Sequence, residues 1–96
     1  MPKGYWIVNL DVTDPEQYAK YQAFVRPFLA ENGGAFLVRG GRHEVVEGTS
    51  KSRQVIIEFD SYEHALEVYR SDAYQRGMKL RLPASSANFV VAEGLA

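Results

Sequence analysis

Hydrophobic and polar residues follow two kinds of pattern along this chain. Four segments are rich in β-branched and aromatic residues, as strands are, and they cover residues 4–11, 35–48, 53–60 and 87–94. After the first of these segments, apolar residues recur at spacings of three and four, which is typical of an amphipathic helix. That apolar stripe consists of Tyr18, Tyr21, Val25, Phe28 and Leu29.

Helix-capping residues predict where the helices begin. Asp14 precedes Pro15, so we expect Asp14 to cap a first helix with Pro15 in its first turn. Ser61 is placed to cap a second helix, and a further short helix is expected to begin at Ser71 or Asp72. Helices are therefore predicted after the first strand and after the third.

The resulting order is β-α-β-β-α-β, with no repeat and no linker in 96 residues. That order predicts one α+β domain spanning residues 1–96, with an antiparallel sheet and two helices on one face, the ferredoxin-like arrangement. A strand pair is expected between the segment ending at Gly48 and the segment starting at Arg53, which would form a hairpin.

Both faces of the predicted sheet are apolar. In the first strand, Tyr5 and Ile7 point to one face while Trp6, Val8 and Leu10 point to the other. Two helices cover only one face, and an exposed apolar patch of this kind usually marks an interface. We therefore expect a homodimer joined through the sheet faces.

Composition excludes several partners. The chain is 46% hydrophobic and 24% charged with a net charge of -1, so electrostatics gives no reason to expect nucleic acid or an anionic membrane. An RNA-recognition module has the same element order, but the segment "GGAFLVR" falls on the wrong strand for its aromatic motif. The apolar run 5–10 is too short for a signal peptide or a membrane span, so the expected location is the cytoplasm.

Two adjacent glycines interrupt the second strand segment. Gly40 and Gly41 predict a bulge or sharp bend, after which the strand is expected to re-form toward Val45. In one interpretation the glycines only bend the strand and the neighbouring charges point to water. In the other, the bend turns Arg39 and His43 into a cavity.

Several blocks of the sequence resemble a known family. The blocks are "GYWIVNLDVTDPEQYAKY", "GGAFLVRGG", "EG" followed by Arg53, "VIIEFDS" and "VYRSDAYQ". In order and spacing they resemble the small bacterial proteins grouped as domain of unknown function 1330. The resemblance implies a dimeric α/β barrel, in which two ferredoxin-like protomers pack sheet to sheet, and it implies no established reaction.

The residues suited to chemistry are few. Arg39 is the candidate anchor for a carboxylate, His43 and Glu58 are candidate proton-transfer groups, and Tyr18 and Tyr69 are candidate lining residues of a pocket. A salt bridge to Arg39 or Arg53 is the structural alternative for Glu58. The tyrosines can equally be core residues.

Metal and cofactor motifs are missing from the sequence. There is no Cys, the two His residues are 21 positions apart, and no phosphate-binding loop is present, so we expect neither metal nor cofactor. Two function classes remain open. The first is a non-catalytic dimer that binds a small organic molecule, with anions among the candidates. The second is a cofactor-free monooxygenase or isomerase acting on a small organic acid.

Overall fold

The computed structural model describes residues 2–96, and in that part of the chain four strands and three helices follow the predicted order. Strands β1 to β4 span Gly4–Val12, Ala35–Arg39, Arg53–Phe59 and Ser85–Glu93. Helices α1 to α3 span Pro15–Glu31, Tyr62–Arg70 and Asp72–Arg81, and a 3₁₀ turn, Leu82–Ala84, precedes β4. The predicted ferredoxin-like α+β arrangement is confirmed. None of the described helices is long and apolar enough to cross a membrane.

The predicted capping residues begin the three helices. The Asp14 carboxylate accepts a hydrogen bond from the Gln17 amide at 3.2 Å, at the start of α1. The hydroxyl of Ser61 caps α2. The hydroxyl of Ser71 caps α3, so Ser71 separates two helices that meet at one residue. Each cap gives a hydrogen-bond acceptor to a backbone amide that has no partner within its own helix.

The four strands form one antiparallel sheet in the order β2-β3-β1-β4, which stays open within the protomer. The helices cover one face, which we call the covered face. Its buried core comprises Trp6, Val8 and Leu10 of β1, Val55, Ile57 and Phe59 of β3, and residues from all three helices. Alternating strand residues place these side chains together, as the period-two pattern requires.

The opposite face of the sheet carries no helix, and we call it the bare face. Ile7 lies at its centre, directly opposite Ile56 on β3 and Val90 on β4. Ile7 is 42% exposed and Val90 is 54% exposed, so apolar area on this face meets solvent in the single protomer. The sequence pattern of two apolar faces is therefore present in the structure.

The second strand is shorter than predicted. It ends at Arg39, and residues 40–52 contain no strand, so the prediction that the strand re-forms toward Val45 is wrong. The Gly40 amide donates a last hydrogen bond to the Gln54 carbonyl at 2.8 Å, and Gly40 then adopts a φ of 68°. This left-handed conformation turns the chain away from β3, so the residues beyond it have no strand to pair with.

Candidate functional site

A β-bulge in β2 decides where Arg39 points. Phe36 pairs with Ile57 and Arg39 pairs with Val55, and the register shifts by one residue between them, at Leu37. Residues directly opposite each other share a face, so Phe36 and Arg39 both belong to the covered face although their spacing is odd. Regular alternation would have placed Arg39 on the bare face. The bulge therefore lies at Leu37, whereas the sequence had predicted a bulge or bend at Gly40 and Gly41.

Arg39 lies on the wall of a cavity between the covered face and α1. The free space is about 40 Å³, counted as the volume open to the centre of a water molecule. One water molecule needs about 10–15 Å³ on this measure, so the cavity has room for a few waters or a small organic group. Its walls are mostly apolar and aromatic, with Tyr18 and Tyr21 contributed by α1.

Arg53, the first residue of β3, lines the same cavity. Its guanidinium carbon lies 5.7 Å from the centre of the Tyr18 ring. The guanidinium also packs against the backbone of Gly40, where the Cβ of any other residue would collide with it. The Nε atom of Arg53 is buried and has no hydrogen-bond partner among the described residues.

Arg81, the last residue of α3, is the most deeply buried charged residue of the site. Only 5% of it is exposed. Its guanidinium carbon lies 5.7 Å from the centre of the Tyr21 ring and 5.6 Å from that of Phe89, so the charge lies between two aromatic faces. Its Nε is also buried without a hydrogen-bond partner within the described chain.

No carboxylate neutralises these arginines. Within residues 2–96 the ion pairs are Lys3 with Asp60 at 3.3 Å and Lys51 with Asp11 at 3.9 Å, and neither contains an arginine. A buried cation without a partner loses hydration that nothing in the protein replaces. The cavity therefore combines apolar walls with uncompensated positive charge.

Two tyrosine hydroxyls lie beside Arg81. The hydroxyl oxygens of Tyr21 and Tyr74 are 2.9 Å apart, within hydrogen-bond distance. Burial raises the pKa of Tyr21 well above its ordinary value and also raises the pKa of Tyr74, although Arg81 acts in the opposite direction on both. Burial lowers the pKa of Arg81, but Tyr74 and Tyr21 outweigh that effect and the pKa lies above its ordinary value. At neutral pH both phenols are neutral and Arg81 is charged.

The two predicted lining tyrosines have different positions. Tyr18 lines the cavity together with Arg39. Tyr69 belongs to α2, and its ring packs against Phe89 with the ring centres 4.8 Å apart. The hydroxyl of Tyr69 donates to the sulfur of Met78 at 3.6 Å. The structure places Tyr69 beside the cavity rather than on its surface.

His43 and Glu58 do not converge on Arg39 within the protomer. Glu58 lies on the bare face, where the Tyr5 hydroxyl donates to its carboxylate at 3.0 Å, and it forms no ion pair with Arg39. His43 lies in the exposed segment 40–52, with its Nδ1 atom 3.2 Å from the Gly41 carbonyl oxygen. Their assignment as proton-transfer groups stays a prediction. Within residues 2–96 no group of three or more His, Cys, Asp or Glu side chains is placed to hold a metal ion.

Sequence reasoning did not single out Arg81, and it considered Arg53 only as a partner for Glu58. The hydrophobic pattern of the sequence does mark both arginines. Arg53 shares the period-two parity of Val55 and the other covered-face residues of β3. Arg81 follows the buried Tyr74 by seven positions in α3, which is two helical turns and therefore the same face. An arginine at a position where the pattern predicts a buried apolar residue is therefore a candidate binding-site residue.

Fold and cavity together define the class of protein: a ferredoxin-like α+β domain with a positively charged, aromatic-lined cavity under its helices. The chain belongs to the family described as "Domain of unknown function (DUF1330)", whose model matches residues 3–95. This agrees with the resemblance found in the sequence blocks. A comparison with curated proteins finds no match.

Solved structures share the fold at low sequence identity. A protein of unknown function from Rhodopseudomonas palustris superposes with a TM-score of 0.75 at 17% identity, over 99% of this chain and 84% of that one. A "dimeric ferredoxin-like protein of unknown function" from Thermobifida fusca gives 0.63 at 12% identity, over 96% and 91%. SnoaB, "a cofactor-independent oxygenase" from Streptomyces nogalater, gives 0.64 at 11% identity, over 100% and 96%. At these identities the likeness shows the fold alone.

Proposed function

We propose that this protein binds a small organic acid in the cavity between the covered face and α1, with Arg39 at the cavity mouth and Tyr18 in its wall. The observation that carries the proposal is the meeting of Arg39, Arg53 and Arg81 on one cavity without a carboxylate partner. A planar guanidinium matches a carboxylate through two parallel hydrogen bonds.

A bound carboxylate would supply what the protein lacks. It would accept hydrogen bonds from the unpartnered guanidinium nitrogens and offset their charge. The organic part of the ligand would lie against the apolar and aromatic walls, which favour a hydrocarbon group over water. The small free space favours an acid of few carbon atoms.

The same proposal includes a homodimer joined through the bare face. Support comes from the exposed Ile7 and Val90 at the centre of that face, which no element of the protomer covers. Leu37, on the edge strand β2, is also exposed. Further support comes from the Thermobifida fusca protein, which has this fold and is described as dimeric.

A cofactor-free oxygenase or isomerase is the alternative, and the cavity supports it less well. General acid or base catalysis needs a proton-transfer group within hydrogen-bond reach of the substrate. Among the residues that line the described cavity there is no carboxylate and no imidazole. The fold shared with SnoaB does not bear on this point, because one fold hosts unrelated functions.

The test replaces Arg39 by Gln and measures the binding of short-chain carboxylates by calorimetry. We expect the affinity to fall by about 10- to 100-fold, because a charge-assisted hydrogen bond contributes about 1.5–3 kcal/mol. The melting temperature should change little, since Arg39 is exposed and forms no ion pair among the described residues.

Arg42→Gln is the matched control, because Arg42 is an exposed arginine three residues away that does not line the cavity. It should bind acids as the unmodified protein does. Equal affinities for the Arg39 and Arg42 variants would contradict the role of Arg39, and failure of the unmodified protein to bind any short carboxylate would contradict the proposed function itself.

A further inference from the structure

Four arginines line the cavity, and they differ in depth. Arg26, on α1, is exposed. Arg39 is exposed, Arg53 is partly buried, and Arg81 is 5% exposed. A single carboxylate at the mouth would reach the exposed Arg39 first and would leave the Arg81 Nε atom at the closed end without an acceptor. The depth difference therefore separates the cavity into an open end and a closed end, each with its own positive charge.

The two ends also lie over different strands. Arg39 and Arg53 belong to β2 and β3, whereas the Arg81 guanidinium packs on Phe89 of β4. Strand β1 lies between β3 and β4 in the sheet. Neighbouring strands are about 4.8 Å apart, so the β3 and β4 backbones are separated by about 10 Å. The charges approach the cavity from opposite sides.

Each end has a buried nitrogen without an acceptor. Arg53 Nε at one end and Arg81 Nε at the other are the buried side-chain nitrogen or oxygen atoms that lack any hydrogen bond in the described chain. Buried polar groups in folded proteins nearly always have a partner. One such atom lies at each end of the cavity, so each end has a guanidinium that the described chain does not fully satisfy.

We infer that the ligand is a short dicarboxylic acid, with one carboxylate bound by Arg81 at the closed end and the other by Arg53 and Arg39 at the open end. The inference rests on the proposed function and adds the substrate class. The neutral hydroxyls of Tyr21 and Tyr74 lie beside the inner carboxylate and repel it less than ionised groups would. The carbon chain between the two acid groups lies along the apolar wall, which includes Val8 and Leu10.

Charge also favours a diacid over a monoacid. A monoanion offsets one of four guanidinium charges and leaves one end of the cavity with a buried, unpartnered nitrogen. A dianion offsets two charges and supplies an acceptor to both ends. Because interactions between charges are stronger in a poorly hydrated site than in water, the second carboxylate contributes to affinity more than it would on the surface.

The experiment compares succinate with butyrate by calorimetry, because the two acids have the same number of carbon atoms and differ in the second carboxylate. The unmodified protein should bind succinate at least about tenfold more tightly, a difference expected from one added charge-assisted contact. In Arg81→Gln and in Arg53→Gln, that preference should fall toward one, because each variant removes the donor of one end.

Arg76→Gln is the control for Arg81→Gln, since Arg76 is an exposed arginine of the same helix that does not line the cavity. It should keep the full preference for succinate. Circular dichroism and the melting temperature check that each variant folds. Should Arg81→Gln fail to fold, Arg53→Gln carries the same comparison at a less buried position.

The outcomes separate the two proposals. Butyrate binding as tightly as succinate overturns the diacid inference and leaves the proposed function standing. A succinate preference that survives both Arg81→Gln and Arg53→Gln overturns it as well, because the second carboxylate then binds elsewhere. If neither acid nor any other short carboxylate binds, the proposed function fails and the inference fails with it.

Discussion

The polar residues on the two faces of the sheet differ in whether they have hydrogen-bond partners. On the bare face, polar side chains pair with each other: Tyr5 donates to Glu58 at 3.0 Å, and the Asn88 amide donates to Asn9 at 3.2 Å. On the covered face, Arg53 Nε and Arg81 Nε have no partner within the described residues. Both faces are otherwise rich in apolar side chains.

That difference agrees with the partner proposed for each face. Polar groups that already hydrogen-bond to each other cost less to bury against a protein surface than unpartnered ones, so the bare face suits a second copy of the chain. Polar groups that lack partners need acceptors from outside the chain, so the covered face suits an anionic ligand.

Replacing Trp6 by Ala should have the largest effect. The side chain is fully buried at the centre of the covered face, and its Nε1 donates to the Ala65 carbonyl at 2.8 Å. Such a truncation typically lowers the free energy of unfolding by about 3–5 kcal/mol. Urea unfolding measures it, with Trp6→Phe as a control that should lose less. A loss no larger than that of Ile7→Ala at protein concentrations too low for dimerisation would remove the distinction between the faces.

Introducing a charge on the bare face should dissociate the proposed dimer. Val90→Asp would bury an unpaired carboxylate at the centre of the proposed interface, which costs several kcal/mol, so the dimer Kd should rise by about a hundredfold or more. Leu82→Asp is the matched control, because Leu82 is 55% exposed and Val90 is 54% exposed, but Leu82 lies outside the sheet. Sedimentation velocity measures both. Equal assembly states for the two variants would argue against this interface.

Replacing Gly40 or Gly41 by Ala should have a smaller effect, and the two variants can be compared directly. Gly40 has a φ of 68° and contacts the Arg53 guanidinium, whereas Gly41 has no positive φ and open space around it. Gly40→Ala should cost about 1–2 kcal/mol from the left-handed conformation alone and should also displace Arg53, which weakens acid binding. Gly41→Ala should change neither quantity. Thermal unfolding measures the backbone effect and calorimetry measures the effect on acid binding. Equal acid affinities for the two variants would show that the contact with Arg53 does not affect binding.

The smallest effect concerns pH. The Asp11 carboxylate accepts a hydrogen bond from the Ser52 amide at 2.8 Å, and this bond lowers the pKa of Asp11. Because the folded pKa lies below the unfolded one, the stabilisation is present above the ordinary pKa of about 3.9 and is lost as pH falls through the folded value. The melting temperatures of the unmodified protein and Asp11→Asn should therefore converge as pH falls from 5 toward 3. A constant difference would contradict this role.

Local sequence signals were sufficient to predict the helices and strands and their order along the chain. Ser61 and Ser71 cap helices where the sequence predicted, because a cap depends only on a few neighbouring backbone amides. Alternation of apolar residues in β1 and β3 identified both apolar faces, because side-chain direction in a regular strand repeats every two residues. The sequence therefore determined the fold class and the core of the sheet.

The candidate site needed the tertiary structure. One extra residue at Leu37 turns Arg39 from the bare face to the covered face. No residue type in that stretch predicts a bulge at this position. Arg53 and Arg81 are 28 positions apart in the sequence, and they line one cavity only because α3 lies on the side of the sheet to which Arg53 points. Periodicity assigns a residue to a face of its own element. Contacts between distant elements determine which faces enclose a cavity, and those contacts exist only in the folded chain.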